Sequence, residues 1–195
     1  MSSHSRAILE VDTDLKQKKH HMNKIKAFIF RFFRKRQPAR NVSFPHYDRV
    51  RSVLIIFQSD LLEDNRIVTD TIRRRLLAED KDVVLLGYAP KKEIQSPILP
   101  QSRIIGLKDF NLFGIPNNEL VESLQRRRYD LLIDLTQTEI LPLAYMTMYA
   151  RADFKAGMQR DNSLLDFMIK TEPQESPLFL FEQIIYFLKQ IHSND

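Results

Sequence analysis

Two short polar segments contain the side chains of this chain that could perform chemistry. Each segment follows directly after an apolar run, and the side chains in question are Ser59, Asp60, Asp64, Asn65, Thr136 and Thr138. A carboxylate in such a place can act as a general base, and hydroxyl and amide groups can hold a ligand. The same residue types cap helices, which is the simpler interpretation of both segments. Asp64 is the candidate catalytic base, and the other five are candidate ligand-binding residues.

Residue types that other kinds of site need are missing or badly placed. The chain has no Cys, which excludes disulfides, thiol catalysis and cysteine-bound metals. Its five His residues lie within the first 46 residues or at position 192, so we expect neither a histidine metal site nor a Ser-His-Asp arrangement. The segment at 58–65 has no Gly, and its Glu63 and Asp64 would repel phosphates. We therefore expect no metal, no nucleotide and no other cofactor.

Strands and helices alternate from about residue 50 onward, and these elements must position the polar segments. Short continuous apolar runs are typical of strands covered on both faces. The predicted strands are 53–57, 83–86, 103–106, 131–135, 154–157 and 165–169, and the predicted helices are 64–79, 117–128, 139–151 and 177–191. This alternation predicts an α/β fold, a three-layer sandwich with a mostly parallel sheet between two helical layers. Both polar segments then lie at carboxyl ends of strands, where such folds bind ligands.

The positive charge of the chain is concentrated near its N-terminus. Residues 1–50 contain 12 Lys and Arg and 4 Asp and Glu, whereas residues 51–195 contain 18 and 21. No acidic residue lies between Leu15 and Tyr47. Residues 16–40 therefore form a basic arm that suits an anionic membrane surface, RNA or an acidic protein, although a solubilising flank has the same composition.

Residues 22–36 have the pattern of a basic amphipathic helix, limited by Pro38. Most of its apolar side chains share one arc of roughly 140°, and Phe30 departs from that arc. The apolar face has three alternative destinations, namely the core of the protein itself, a membrane interface or the groove of a partner protein. The side chains predicted to face an anionic surface are Lys24, Lys26, Arg31, Arg34, Lys35 and Arg36.

The composition divides the chain into three predicted regions. They are a disordered lead at 1–21, the basic helix with its linker at 22–47, and the α/β domain at 48–195. Met22 also reads as an alternative start of the protein. We expect no secretory signal and no spanning helix, because the best apolar run is broken by Arg31. The expected location is the cytoplasm, with peripheral attachment at the inner membrane surface as the membrane alternative.

Residues 129–157 carry a resemblance to one known enzyme family. They read YDLLIDLTQTEILPLAYMTMYARADFKAG and resemble the N-terminal, Rossmann-like half of heptosyltransferase-type glycosyltransferases. The resemblance implies a half domain for the sugar acceptor, with Asp64 nearest to the family's catalytic Asp. The family's Gly-Asp turn is replaced here by Leu62-Glu63-Asp64. Because no residues remain for the donor-binding half, the resemblance implies that this chain does not transfer sugars by itself.

A second resemblance covers most of the chain. Residues 129–133, 152–157, 164–171 and 181–191 are similar to the pattern of an uncharacterised family of small proteins from Bacteroidota, whose members begin with a short basic helix. The leading hypothesis is a non-catalytic cytoplasmic α/β binding protein that uses its basic arm. The alternatives are the acceptor-side half of a glycosyltransferase-like enzyme that needs a partner chain, and an RNA- or ribosome-associated protein.

Overall fold

The computed structural model describes residues 22–59, 63–90, 102–160, 164–172 and 175–191, and gives the backbone alone at 63–67. The chain divides into two units between Ala39 and Arg40. In the first unit, residues 22–35 form helix α1, close to the predicted bounds. Among the described residues, none of the helices combines the length and the apolar character that crossing a membrane requires.

One six-stranded sheet forms the centre of the second unit. Its strands are β1 Ser52–Gln58, β2 Asp82–Tyr88, β3 Ser102–Ile105, β4 Arg128–Asp134, β5 Arg151–Met158 and β6 Phe167–Ile169. The strand order is β3-β2-β1-β4-β5-β6, and every neighbouring pair is parallel. The direction of the order reverses between β1 and β4, which makes this pair the switch point of the sheet.

Four helices cover the two faces of this sheet. They are α2 Glu63–Ala78, α3 Asn118–Arg126, α4 Leu141–Tyr149 and α5 Pro177–Gln190. Buried side chains of α2 and α5 pack with Ile133 on one face, and those of α3 and α4 pack with Leu132 on the other. Because successive residues of a strand point to opposite faces, this division confirms the predicted three-layer α/β sandwich, which is Rossmann-like.

Two of the predicted helices extend too far at their C-terminal ends. Residues Arg128 and Arg151 were expected to end helices, but they begin β4 and β5 and pair with each other across the sheet. A single residue separates α3 from β4, and a single residue separates α4 from β5. Neither of these connections contains Gly or Pro, the residues that mark turns most strongly, so the sequence gives no signal for the boundary.

Candidate functional site

The carboxyl ends of β1 and β4 meet at the switch point of the sheet, where folds of this kind bind ligands. Ser59 follows β1 and Thr136 follows β4, so the fold brings these two predicted residues to the same edge. Thr138 lies on the surface between β4 and α4. Asp60 and the side chains of Asp64 and Asn65 lie outside the described residues.

The described candidates at this edge make local contacts. Ser59 is half-buried, and its backbone N–H donates to the carbonyl oxygen of Tyr88 at 2.8 Å. Thr136 is buried, and its backbone N–H donates to Asp134 Oδ1 at 2.9 Å. Thr138 does not cap α4, because the N-cap position is Ile140 and makes no side-chain capping bond. The assignment of these residues to ligand binding stays a prediction.

A buried polar cluster that the sequence analysis did not single out lies beside Thr136. Asp134 is almost fully buried, and its Oδ1 is 3.2 Å from a terminal nitrogen of Arg160. The hydroxyl of Thr147 donates to Asp134 Oδ2 at 3.2 Å. The same Arg160 nitrogen donates to the carbonyl oxygen of Thr136 at 2.6 Å. We call Asp134, Thr136, Thr147 and Arg160 the Asp134 cluster.

The Asp134 cluster joins three parts of the carboxyl edge. Thr147 belongs to α4, Arg160 follows β5, and Asp134 ends β4. Gly157 lets these strands approach each other, because a Cβ there would be 2.7 Å from the carbonyl oxygen of Asp134. Both oxygens of the Asp134 carboxylate accept hydrogen bonds, and an arginine compensates its charge, so this buried carboxylate has the partners that burial requires.

Two atoms of the Asp134 cluster are buried without a partner. Thr136 Oγ1 and Arg160 Nε make no hydrogen bond within the described part of the chain. A buried polar atom without a partner costs about 1–3 kcal/mol of stability. Both atoms are covered, and the described hydrogen bonds of the cluster join the loops at this edge.

Lys155 continues the same polar network into the core. It lies in the middle of β5 and is buried, and its Nζ donates to the carbonyl oxygens of Thr147 at 2.5 Å and Met148 at 3.5 Å. These carbonyls belong to the last turn of α4, which has no further helical donor. Burial, and secondarily the positive charge of Arg40, lowers the pKa of Lys155 to about 8.

The sequence does contain a signal for both Asp134 and Lys155. Each is a charged residue inside a predicted buried strand, and the almost fully apolar composition of such strands makes a charge there unusual. The residues that pair with them, Thr147 and Arg160, lie 13 and 26 positions from Asp134 in the chain and have no local pattern that links them to it. Within the described residues, no group of three or more His, Asp or Glu side chains could hold a metal ion.

The side chains that helix α1 buries and exposes differ from the predicted ones. Phe30, which departs from the apolar arc, is only 6% exposed, whereas Phe28 is 72% and Phe32 is 44% exposed. Phe28 and Phe32 are one turn apart, so they share a face. The guanidinium of Arg36 lies 4.0 Å from the centre of the Phe32 ring, a cation–π geometry.

Four of the six predicted surface-contacting cations are exposed on α1 and directly after it. They are Lys24, Arg31, Lys35 and Arg36, and the other two, Lys26 and Arg34, are half-buried. Lys24 is four residues before Phe28, and Arg36 is four residues after Phe32, so these cations lie at both ends of the exposed pair of rings. We call Lys24, Phe28, Arg31, Phe32, Lys35 and Arg36 the α1 face.

A comparison with family models identifies one match, which covers residues 19–191 and therefore α1 as well as the whole sheet. The matching model is described as Family of unknown function (DUF6913). No curated protein and no solved structure matches the chain.

Proposed function

The chain belongs to this family of unknown function, and we propose that it is a non-catalytic α/β binding protein whose α1 face attaches it to an anionic phospholipid surface. The proposal places the protein in the cytoplasm at the inner membrane surface, where anionic lipids face the cell interior. In this proposal the Asp134 cluster has a structural role, because its charged groups are already paired with each other.

One observation carries the proposal, namely the exposure of Phe28 and Phe32 among cations on a helix without acidic residues. Only Phe30 among the phenylalanines of α1 is fully buried, so large apolar side chains of this helix remain exposed. Helices that lie in a membrane interface place Phe in the acyl boundary and Lys and Arg toward the headgroups. The ring edges enter the boundary of the acyl chains while the cations contact the phosphates.

The expected strength of binding comes mainly from charge. Each Lys or Arg close to an anionic leaflet contributes about 1 kcal/mol, so the four exposed cations of the α1 face contribute roughly 4 kcal/mol. Burial of the two exposed rings adds to this value. The sum corresponds to reversible attachment that weakens as salt screens the charges.

The test measures binding of the full chain to vesicles of phosphatidylcholine with 30% phosphatidylglycerol. The wild-type chain is expected to co-sediment with them, and to ignore pure phosphatidylcholine. Arg31→Glu with Lys35→Glu should weaken binding roughly thirtyfold or more, because two attractive charges are lost and two repulsive ones are added. Phe28→Ser with Phe32→Ser should weaken binding as well, without a change in charge.

A matched control reverses two exposed cations of the second unit. Lys108→Glu with Arg126→Glu changes the net charge by the same amount and should leave vesicle binding within about twofold of the wild-type value. Equal losses in both charge variants would mean that net charge alone drives binding. A wild-type chain that ignores the vesicles yet binds an RNA oligonucleotide through the same cations would overturn the lipid proposal in favour of RNA, on which exposed Phe rings can stack.

A second candidate is the acceptor-side half of a glycosyltransferase-like enzyme that acts with a separate donor-binding chain. The supporting observation is the switch point between β1 and β4, with Asp64 in the first turn of α2 beyond β1. A thermal-shift screen with nucleotide sugars distinguishes the two candidates. A bound donor at a hundredfold excess over its Kd would stabilise the chain by about 2.7 kcal/mol, whereas a non-catalytic binding protein should show no shift with any donor.

A further inference from the structure

Strand β6 lies at the edge of the sheet and has one open side. It ends the strand order, and among the described residues β5 is the only strand that pairs with it. The carbonyl oxygen of Ile169 accepts from the backbone N–H of Gln159, directly after β5, at 2.8 Å. Because the backbone groups of successive strand residues point to opposite sides, the N–H and the carbonyl of Met168 point away from β5. An edge of this kind is a template for another strand.

Apolar side chains lie on both faces of the sheet at this edge. Phe167 and Ile169 pack with the core on the α5 side, and Met168, between them, points to the opposite face and is 44% exposed. On the α5 side, the ring centre of Phe187 is 6.1 Å from that of Phe167 and 5.4 Å from that of Tyr186. The rings of Phe187 and Tyr186 are both exposed. A strand added here therefore covers apolar surface on both faces of the sheet, in addition to the open backbone groups.

The residues of β6 are complementary to an antiparallel copy of the same strand. When two copies are centred on Met168, its backbone groups bond to those of the second Met168, and Phe167 of each copy lies opposite Ile169 of the other. The next pair outward joins Asp166 of one copy to Lys170 of the other, which have opposite charges. The two-fold axis repeats each of these contacts, so the edge is self-complementary in apolar character and in charge.

Arg40 holds the carboxylate of Asp166 in place at the start of β6. Its two terminal nitrogens donate to Asp166 Oδ1 at 3.3 Å and to Oδ2 at 2.8 Å, and the backbone N–H of Lys155 donates to Oδ2 at 2.8 Å. A carboxylate oxygen can accept more than one hydrogen bond, so Asp166 can also accept from the exposed Lys170 of a second copy. Because this carboxylate is already ordered, association costs less conformational entropy.

The opposite edge of the sheet, β3, lacks this self-complementarity. The carbonyl oxygen of Ile105 accepts a backbone hydrogen bond at 2.9 Å from the residue directly after β2, so the backbone groups of Ile104 point outward. A symmetric pairing centred on Ile104 puts Arg103 opposite Ile105. The next pair outward is Ser102 with Gly106, so a symmetric pairing of this edge joins no opposite charges.

We propose that the protein forms a two-fold symmetric dimer, in which the β6 edges of two copies pair antiparallel and join the two sheets into one. A three-residue strand gives a small interface, so we expect a Kd of about 10 µM. The α1 face takes no part in this pairing. The dimer can therefore be tested without lipid, and its failure would leave the proposed function unchanged.

Analytical ultracentrifugation measures the association, and the wild-type chain is expected to form dimers. Met168→Pro removes the outward N–H of the edge and should raise the Kd at least tenfold, whereas Ile104→Pro, the matched control at the β3 edge, should leave it within about twofold. Lys170→Glu puts two carboxylates opposite each other and should raise the Kd roughly fivefold. Lys108→Glu, the same change of charge at another exposed lysine, should leave the Kd within about twofold.

Disulfide formation tests the register, and the absence of Cys from the chain makes each introduced thiol unique. Met168→Cys puts the two Cα atoms that carry the thiols about 5.5 Å apart, within the range of a disulfide. Lys170→Cys puts them about 14 Å apart along the strands, so this variant should cross-link at least tenfold more slowly. If circular dichroism shows that Met168→Pro unfolds the chain, the comparison of these two thiols decides in its place.

Three results would overturn the inference. The first is a wild-type chain that stays monomeric at about 100 µM, ten times the expected Kd. The second is a dimer that persists in a folded Met168→Pro chain, since the interface would then lie elsewhere. The third is equal cross-linking through the thiols at 168 and 170, which would exclude a pairing centred on Met168.

Discussion

The ammonium group of Lys155 and the carbonyl oxygen of Thr147 are 2.5 Å apart inside the second unit, where a β5 side chain closes the last turn of α4. Burial of a cation costs free energy, and the ammonium group of Lys155 donates to the carbonyl oxygens of Thr147 and Met148. The result is a lowered pKa, which makes the stability of the fold depend on pH in a predictable direction.

We expect the free energy of unfolding to rise between pH 8 and pH 9. The pKa of Lys155 falls from 10.5 to about 8 on folding, so the unfolded chain binds more protons in this window. Stability therefore increases as the pH rises, by about 1 kcal/mol for Lys155 alone. Lys81, whose pKa burial also lowers, contributes in the same direction. Urea unfolding at pH 8, 9 and 10 measures the slope.

The Lys155→Met variant isolates the contribution of this one side chain. Its slope between pH 8 and 9 should be flatter than that of the wild-type chain, and Lys108→Met, an exposed matched control, should keep the wild-type slope. Above about pH 9 the tyrosines lower the stability of all three chains, because burial raises the pKa of Tyr145 to about 12 and also raises that of Tyr129. Identical slopes in Lys155→Met and the wild-type chain would contradict the assignment.

The Arg40 contact gives a second prediction. Arg40→Ala removes a two-point ion pair with Asp166 and two hydrogen bonds to β5 carbonyls, and should lower the free energy of unfolding by about 1–3 kcal/mol. Arg40→Lys should recover only part of this loss, because an ammonium cannot form the paired geometry. Denaturant unfolding measures both, and Arg49→Ala, at an exposed arginine, serves as the control and should be near neutral. An equal loss of unfolding free energy in Arg40→Ala and Arg49→Ala would contradict the structural role of Arg40.

The central strand β4 gives the third prediction. Leu132→Ala should cost about 2–5 kcal/mol, since the side chain has no exposed surface and its removal leaves a cavity between β4 and the α3–α4 layer. Leu112→Ala, the same change at an exposed site, should cost less than about 0.5 kcal/mol. A cost below 1 kcal/mol at Leu132 would conflict with its position in the centre of the sheet.

The architecture was predictable because the central strands are mainly apolar. Val53–Phe57 is uninterrupted and lies within β1, and Leu131–Leu135, interrupted by Asp134, overlaps β4, as a strand covered on both faces requires. The strand order was not predictable, since periodicity describes which faces are buried and says nothing of which strands are neighbours. The predicted helix ends at Arg128 and Arg151 were wrong for a similar reason, because one-residue connections have no turn signal.

The sequence predicted less of the candidate site than of the fold. Thr136 was found because it follows a clear strand, but its importance comes from Arg160 and Asp134, whose contact depends on the pairing of β4 with β5. On α1, periodicity placed most of the apolar side chains on one arc, and Phe30 departed from it. The buried position of Phe30 comes from its surroundings in three dimensions, which helical spacing does not contain.

The last prediction concerns Phe30 and Phe28, two phenylalanines of one helix with opposite surroundings. Isolated helices as short as α1 are marginal in water, so its stability depends on the side chains that it buries. Phe30→Ser should therefore loosen the helix and raise the amide hydrogen-exchange rates of residues 22–35 by at least tenfold, whereas Phe28→Ser, at a side chain that is 72% exposed, should leave them within about twofold.

Vesicle binding gives a second, different comparison of the two variants. Phe28→Ser should weaken binding while the helix stays protected, because the ring acts on the surface and not on the fold. If amide exchange in Phe28→Ser were as fast as in Phe30→Ser, the exposed ring would be stabilising the helix itself. That result would contradict the assignment of Phe28 to the α1 face.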